Sequence, residues 1–349
     1  MRSKLLLLTL AGIALLGAAC TPARSNLEAD GGVWVSTDRG ETFEQRSTIY
    51  EDRVSKKTIG EVNVARFVFS PADSAKMFAV SERSGLWFSW NQGFFWDLIL
   101  PSTDVSDLAV HPENPSRLYA AVGSAVAVSQ DEGVHWKSVY TSDNPGIAIT
   151  SVAVNPSAPS TVYAATSIGD VLISEDSGTS WRVHASLGGG VQLLRMQFHP
   201  NRRDTMYALA PGKGLARSMD AGKTWSYFDE VFSPYTGTND PRDFALIPSG
   251  VVYASRYGLL RSLNHGEDWV SLPLISGSPP RDANVYSVAV NPTNPLEVFY
   301  GTTSTLYHSL DGGFNWIPRP LPSTRTARAL ALHPANPSVL FMGLSISRR

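Results

Sequence analysis

A single cysteine, Cys20, stands in 349 residues, so no disulfide can form within the chain. Stability has to come from packing and from the way the fold closes. The seven histidines, His111, His135, His184, His199, His265, His308 and His333, show no zinc-type spacing. Neither a Gly-x-Ser-x-Gly elbow nor a phosphate loop occurs; Gly188-Gly189-Gly190 lacks the Lys-Ser/Thr that such a loop requires. Basic charge is not in surplus, since 29 Lys and Arg face 31 Asp and Glu for a net charge of −2. That balance argues against a nucleic-acid footprint, which needs a clustered basic face. The chain also lacks an apolar run long enough to span a bilayer; Leu5 to Leu16 is too short.

That short run sits in a telling context. Arg2 and Lys4 precede it, and Gly17-Ala18-Ala19 lead from it into Cys20. Residues 1–19 therefore read as a secretory signal peptide. A cysteine directly after a small-residue cleavage site resembles a bacterial lipoprotein lipobox, here with Gly17 where Leu is usual. The expectation is an exported chain acylated on Cys20, tethered by residues 20–30 and anchored through lipid to the bacterial cell envelope. Removing Arg2 and Lys4 leaves 27 basic residues against 31 acidic, a net charge of −4.

What the sequence has in abundance is one eight-residue pattern, Ser-x-Asp/Asn-x-Gly-x-x-Trp/Phe, seven times over. Its central residues are Asp38, Asn91, Asp131, Asp176, Asp220, Asn264 and Asp311, at steps of 53, 40, 45, 44, 44 and 47. A four-stranded propeller blade consumes about 40 to 50 residues. Asp or Asn and Ser side chains can satisfy turn amides, and Gly tolerates positive φ. Six of the nine tryptophans occupy the last position, which is expected on strand d, with the ring buried between layers. These are turn-building roles, and no box acid is read as catalytic.

A second phrase fixes the phase. An apolar alternating run ends in x-Pro at Pro71, Pro112, Pro156, Pro200, Pro248, Pro292 and Pro334, and an apolar-aromatic run follows. Such runs, bounded by Pro, Asn and Gly, are strand signals, and proline stops the ladder. Strand a precedes x-Pro, strand b holds the Tyr, strand c leads into the box and strand d leaves it. His111, His199 and His333 stand just before three of the prolines, where turn capping is expected. The first box is preceded only by strand c, and the chain closes on strands a and b. Those halves complete one another, so residues 31–346 are expected to form a single all-β, seven-bladed propeller of four-stranded antiparallel blades.

The box resembles the Asp-box, or BNR repeat, of sialidases, sortilin-type receptors, two-propeller xyloglucanases and photosystem II assembly-factor-like propellers. The resemblance covers about residues 31 to 346 and is closest to exported bacterial BNR propellers. It implies a fold and leaves activity open, because the motif recurs on unrelated functions. The Arg-Ile-Pro motif of sialidases is absent; Leu246-Ile247-Pro248 closes a strand a instead. The xyloglucanase Asp-x-Gly-Gly segment has only a partial echo in Asp30-Gly31-Gly32, which also suits the start of a strand c.

Function is therefore sought on the d–a and b–c loop face, where length and content vary. Two d–a loops stand out, residues 47–61 and 229–242, the latter holding Phe232 and Tyr235. The candidate partner-binding residues are Arg53, Arg83, Lys213, Tyr235, Asp240, Arg256 and Tyr257. The expected function is a monomeric binding or assembly scaffold for a protein or glycan, with no cofactor, no metal and no catalytic residue. A glycoside hydrolase using loop-face carboxylates is the alternative.

Overall fold

The computed structural model describes residues 30–50, 58–275 and 284–346. Seven antiparallel sheets form the ring. Blades 1 to 6 run over residues 64–100, 105–141, 149–186, 194–227, 241–271 and 287–320. Blade 7 is composite: Thr326–His333 and Asn336–Ser345 supply strands a and b, while Gly32–Ser36 and Glu44–Gln45 supply c and d. The seam is antiparallel, pairing Gly32 with Leu344 and Ser36 with Leu340. Thr48–Ile49, inside a segment expected to be a loop, adds a fifth strand parallel to Phe95–Trp96 at the edge of blade 1.

Each box is a hydrogen-bonded turn of one design. The Ser hydroxyl accepts the Gly amide four residues on at 2.7–2.8 Å in all seven copies. The same hydroxyl donates to the central Asp or Asn, whose Oδ1 accepts the amide four residues further along. The second carboxylate oxygen takes the side chain at that position: Thr42, His135, Ser180, Thr224 or Asn315. Where the centre is Asn264 the polarity reverses, and its amide donates to Asp268 at 2.7 Å. These hydrogen bonds hold the carboxyls of Asp38, Asp131, Asp176 and Asp311 at about 2.

The tryptophans correct one expectation. Only Trp96 lies within its strand d, Phe95–Leu100; Trp136, Trp181, Trp225, Trp269 and Trp316 precede theirs. The indole N–H has acceptors of its own. In four boxes it donates back to the box Gly carbonyl, holding the ring in the turn. Trp136, Trp96 and Trp316 also reach Ile99, Arg46 and Pro273 of the preceding blade. Strand b contributes a second rivet, since the Tyr119 and Tyr207 hydroxyls donate to the Ser177 and His265 carbonyls in the next blade's box.

The x-Pro turns cap themselves as their residue types suggest. Nδ1 of His111 and His333 accepts amides two and three residues on. Nδ1 of His199 accepts the Asn201 amide, and Asn155 and Asn291 do the same work with Oδ1. His199 also meets His265 across a blade boundary, Nε2 to Nδ1, at 3.2 Å. Burial first, then the facing His265 and Arg202, push the His199 imidazole down to about 4.

Two tests follow from these turns. Ala221, just before a box Gly, sits at φ +57. Glycine removes that left-handed strain, so Ala221→Gly should raise the unfolding free energy by roughly 0.5–1 kcal/mol in urea titrations. The neutral His199 contributes stability that is complete above pH 6.5 and is lost as pH falls towards 4. Over that window wild type should lose on the order of 2–3 kcal/mol more than His199→Asn, which keeps the cap used at Asn155 and Asn291. Parallel pH profiles of the two proteins would refute the role of His199.

Candidate functional site at the channel mouth

The a strands of all seven blades line a central channel. Counting back five residues from each repeat proline gives Arg66, Asp107, Ser151, Arg195, Asp243, Ser287 and Ala329. In the fold these become a polar belt inside the ring. Arg66 on blade 1 pairs with Asp107 on blade 2. Asp107 Oδ2 accepts the Ser151 hydroxyl at 2.6 Å and the Val152 amide at 3.2 Å, and Ser151 Oγ accepts the Met196 amide at 2.8 Å. The pattern restarts on blade 4: Arg195 pairs with Asp243, Asp243 Oδ2 accepts the Val288 amide at 2.9 Å, and Ser287 donates to the Ala327 carbonyl at 2.7 Å. Two Arg-Asp-Ser runs thus tie blades 1 to 4 and 4 to 7. Both aspartates are buried, so losing either arginine would strand a charge at a cost of about 3–5 kcal/mol.

One residue earlier in each strand stand Ala65, Ser106, Thr150, Leu194, Arg242, Tyr286 and Arg328, nearer the d–a loops. The guanidiniums of Arg242 and Arg328 flank the Tyr286 ring at 5.7 and 5.8 Å from its centre. Arg242 donates to Asp240 at 3.0 Å, and Arg328 lies 3.8 Å from Glu82. Glu82, Arg83, Asp104, Tyr286, Arg328 and Ile346 border a polar cleft of about 620 Å³ here. The cleft opens on the face made by the d–a and b–c loops.

The expected site residues divide into three groups. Arg53 and Cys20 lie outside the described residues. Arg83, at a b–c tip with φ +65, lines the cleft beside Glu82. Lys213, Tyr235, Asp240, Arg256 and Tyr257 gather around the 229–242 loop, which packs on two b–c tips through Gly212–Asn239 and Arg256–Asp240 backbone bonds. There Tyr235 leans on Tyr257 at 5.0 Å, the Tyr257 hydroxyl meets Ser271 at 2.8 Å, and Lys213 Nζ lies 3.7 Å from Asp229. Phe232 is no surface residue: a single helical turn, Asp229–Phe232, buries its ring flat against Tyr253. The seven box residues lie in the turns described above, each bonded within its own box.

Asp30 is likewise committed to structure. Its oxygens accept the Ser323 hydroxyl at 2.9 Å, the Thr324 amide at 3.2 Å and Arg325 Nε at 3.1 Å, tying the start of the fold to the turn before blade 7. Burial pushes this carboxyl up, but the Ser323, Thr324 and Arg325 contacts outweigh it and hold the group below its ordinary value. Arg66, Asp107, Arg195, Asp243, Tyr286 and Arg328 were not singled out from the sequence, and Arg242 was noted only as the end of the 229–242 loop. Registering the seven repeats on their prolines is the signal that exposes them.

No family model and no curated protein matches the chain. Solved structures do. The GH74 enzyme of Niastella koreensis superposes with a TM-score of 0.62 at 16% identity, covering 81% of this chain and 51% of that one. The GH74 xyloglucanase from Xanthomonas campestris gives 0.61 at 18%, again over 81% and 51%. YCF48 bound to D1 peptide gives 0.61 at 14%, over 82% of this chain and 94% of that one. That likeness establishes the fold. The chain spans about half the length of the GH74 enzymes it matches.

At the mouth, Arg328→Ala should leave folding within about 0.5 kcal/mol of wild type, because its ion pair with Glu82 is partly exposed. Arg195→Ala should cost about 3–5 kcal/mol by stranding Asp243. Chemical unfolding of the two variants separates the mouth from the belt, and equal losses would contradict the division.

Proposed function

We propose that this protein is an exported, lipid-anchored BNR-type propeller that holds a protein or glycan partner on its d–a and b–c loop face. The observation that carries the reading is Tyr286 between Arg242 and Arg328 at the channel mouth. Tyr and Arg dominate binding hot spots, since each combines large contact area with directed polar groups. The cleft beside them, with Arg83 and Asp104, offers both signs of charge to an incoming polar chain. The second cluster, Tyr235, Tyr257 and Arg256, extends the same face outward. A YCF48 propeller of similar size bound to a peptide supports a protein partner.

The likeness to GH74 enzymes supports a hydrolase only if a suitable carboxylate pair exists, about 5 to 10 Å apart with one acid keeping its proton. At the mouth Glu82 and Asp240 each lean on an arginine, and Asp30 is held ionised inside the ring closure. For Asp30, those contacts work against a role as general acid. The binding reading is therefore preferred.

Capture of partners from the cell envelope by the purified protein tests it. Tyr286→Ala combined with Arg328→Ala should weaken capture at least tenfold while the unfolding transition stays cooperative. Turnover of β-glucans or sialosides, abolished by one loop-face carboxylate substitution, would instead establish the hydrolase. Anchoring is tested separately: Cys20→Ser should move the protein from the membrane fraction to the soluble exported fraction. A wild-type protein already soluble after export would sink the lipid anchor and leave the binding face untouched.

A further inference from the structure

Arg66 and Arg195 stand on a strands three blades apart and border the same two stretches of channel. Toward the x-Pro turns lies an apolar bore of about 550 Å³, lined by Phe69, Val110, Val154, Phe198 and Leu332 among others. Toward the loop face lies a vestibule of about 300 Å³ that Arg242, Arg328 and Glu82 also border. The two guanidiniums mark the boundary between these spaces. We propose that Arg66 and Arg195 together bind one small oxyanion inside the channel.

The aspartates that pair with them also accept hydrogen bonds from the wall of the ring. Asp107 accepts, besides Arg66 Nη1, the Leu108 amide, the Ser151 hydroxyl and the Val152 amide. Asp243 accepts the Phe244 and Val288 amides besides Arg195 Nη1. Both carboxylates are turned into the wall and shared among backbone amides. Each arginine commits Nη1 to this wall, and among the described residues neither Nε finds an acceptor. Arg195 stacks on Phe244 at 4.9 Å, so an apolar floor backs its charged head. Burial and the facing Arg66 charge both depress the Arg195 guanidinium, with Asp107 pulling the other way.

Two guanidiniums thus border one lumen, each with a buried Nε that has no acceptor among the described residues. An oxyanion between them relieves the repulsion and supplies acceptors in the fork geometry that guanidinium favours. The low dielectric of the bore strengthens that contact relative to a surface site. Arg242 and Arg328, paired with Asp240 and Glu82, stand higher in the vestibule. The vestibule shares Glu82, Arg242 and Arg328 with the partner cleft, but the groups that would hold the anion, Arg66 and Arg195, do not line that cleft, so phosphate binding and partner capture can fail independently.

Inorganic phosphate is the probe, with chloride at equal ionic strength as reference. Calorimetric titration of the wild-type protein should show one saturable site per chain, and the melting temperature should rise with phosphate until saturation. Because removing an arginine alone strands a buried aspartate, the variants are neutral pairs, Arg195→Gln with Asp243→Asn and Arg66→Gln with Asp107→Asn. Each should weaken phosphate binding at least tenfold, whereas Arg182→Gln on an exposed ion pair should change nothing. Crystals of the wild-type protein soaked in selenate should show an anomalous peak between the two guanidiniums, which keeps the test open if a pair variant fails to fold. Heats indistinguishable from chloride, unchanged affinity in either folded pair variant, or a selenate peak only elsewhere would overturn the proposal.

Discussion

A β-sheet has two edges, and a ring of seven separate sheets holds only if each blade is fastened to its neighbours by something other than its own ladder. In this protein the fastening starts from the serine hydroxyl of each box. By accepting the glycine amide four residues on, it folds the c–d connection into a turn whose next-door carbonyl points out of the blade. The Tyr119 and Tyr207 hydroxyls of preceding blades bond to those carbonyls. The indoles of Trp136 and Trp316 reach back in the other direction. Deep inside the ring, the Arg-Asp-Ser belt repeats the logic with charge and amides instead of rings.

The two layers differ in how they were readable. The box is a local device whose donors and acceptors lie within eight residues, so it recurs almost unchanged and the blade count and composite closure follow from the text alone. Even the reversal at Asn264, with Asp268 taking the acceptor role, is spelled out four residues apart. The belt is long-range. Asp107 meets Arg66, 41 residues upstream, and Ser151, 44 downstream, and no single stretch of chain hints at either contact. Its residue types also change from blade to blade, so a reader of repeats discards them as variation.

The same contrast explains the misreadings. Phe232 and Tyr235 look alike in an aromatic loop, yet a helical turn sends one ring into Tyr253 and leaves the other partly buried against Tyr257. Loop conformation, which composition does not encode, made the difference. Four of the tryptophans that sit before strand d donate the indole N–H to an acceptor already present in the turn, the box Gly carbonyl. Donor bookkeeping of that kind needs coordinates.

The composite blade gives the ring an order of assembly. Blades 1 to 6 are each continuous in the chain and close through short loops, whereas the strand Gly32–Ser36 must wait for Leu340–Leu344, some 300 residues later. Loop-closure entropy grows only slowly with length, so the delay costs little in final stability. It matters for time instead. Until the last strands exist, the first strand and the flank of blade 1 remain unpaired edges, and the hollow that Arg66 and Arg195 border has no continuous wall. The lumen is thus a late product of folding, completed in the same step that hides the two ends of the sheet.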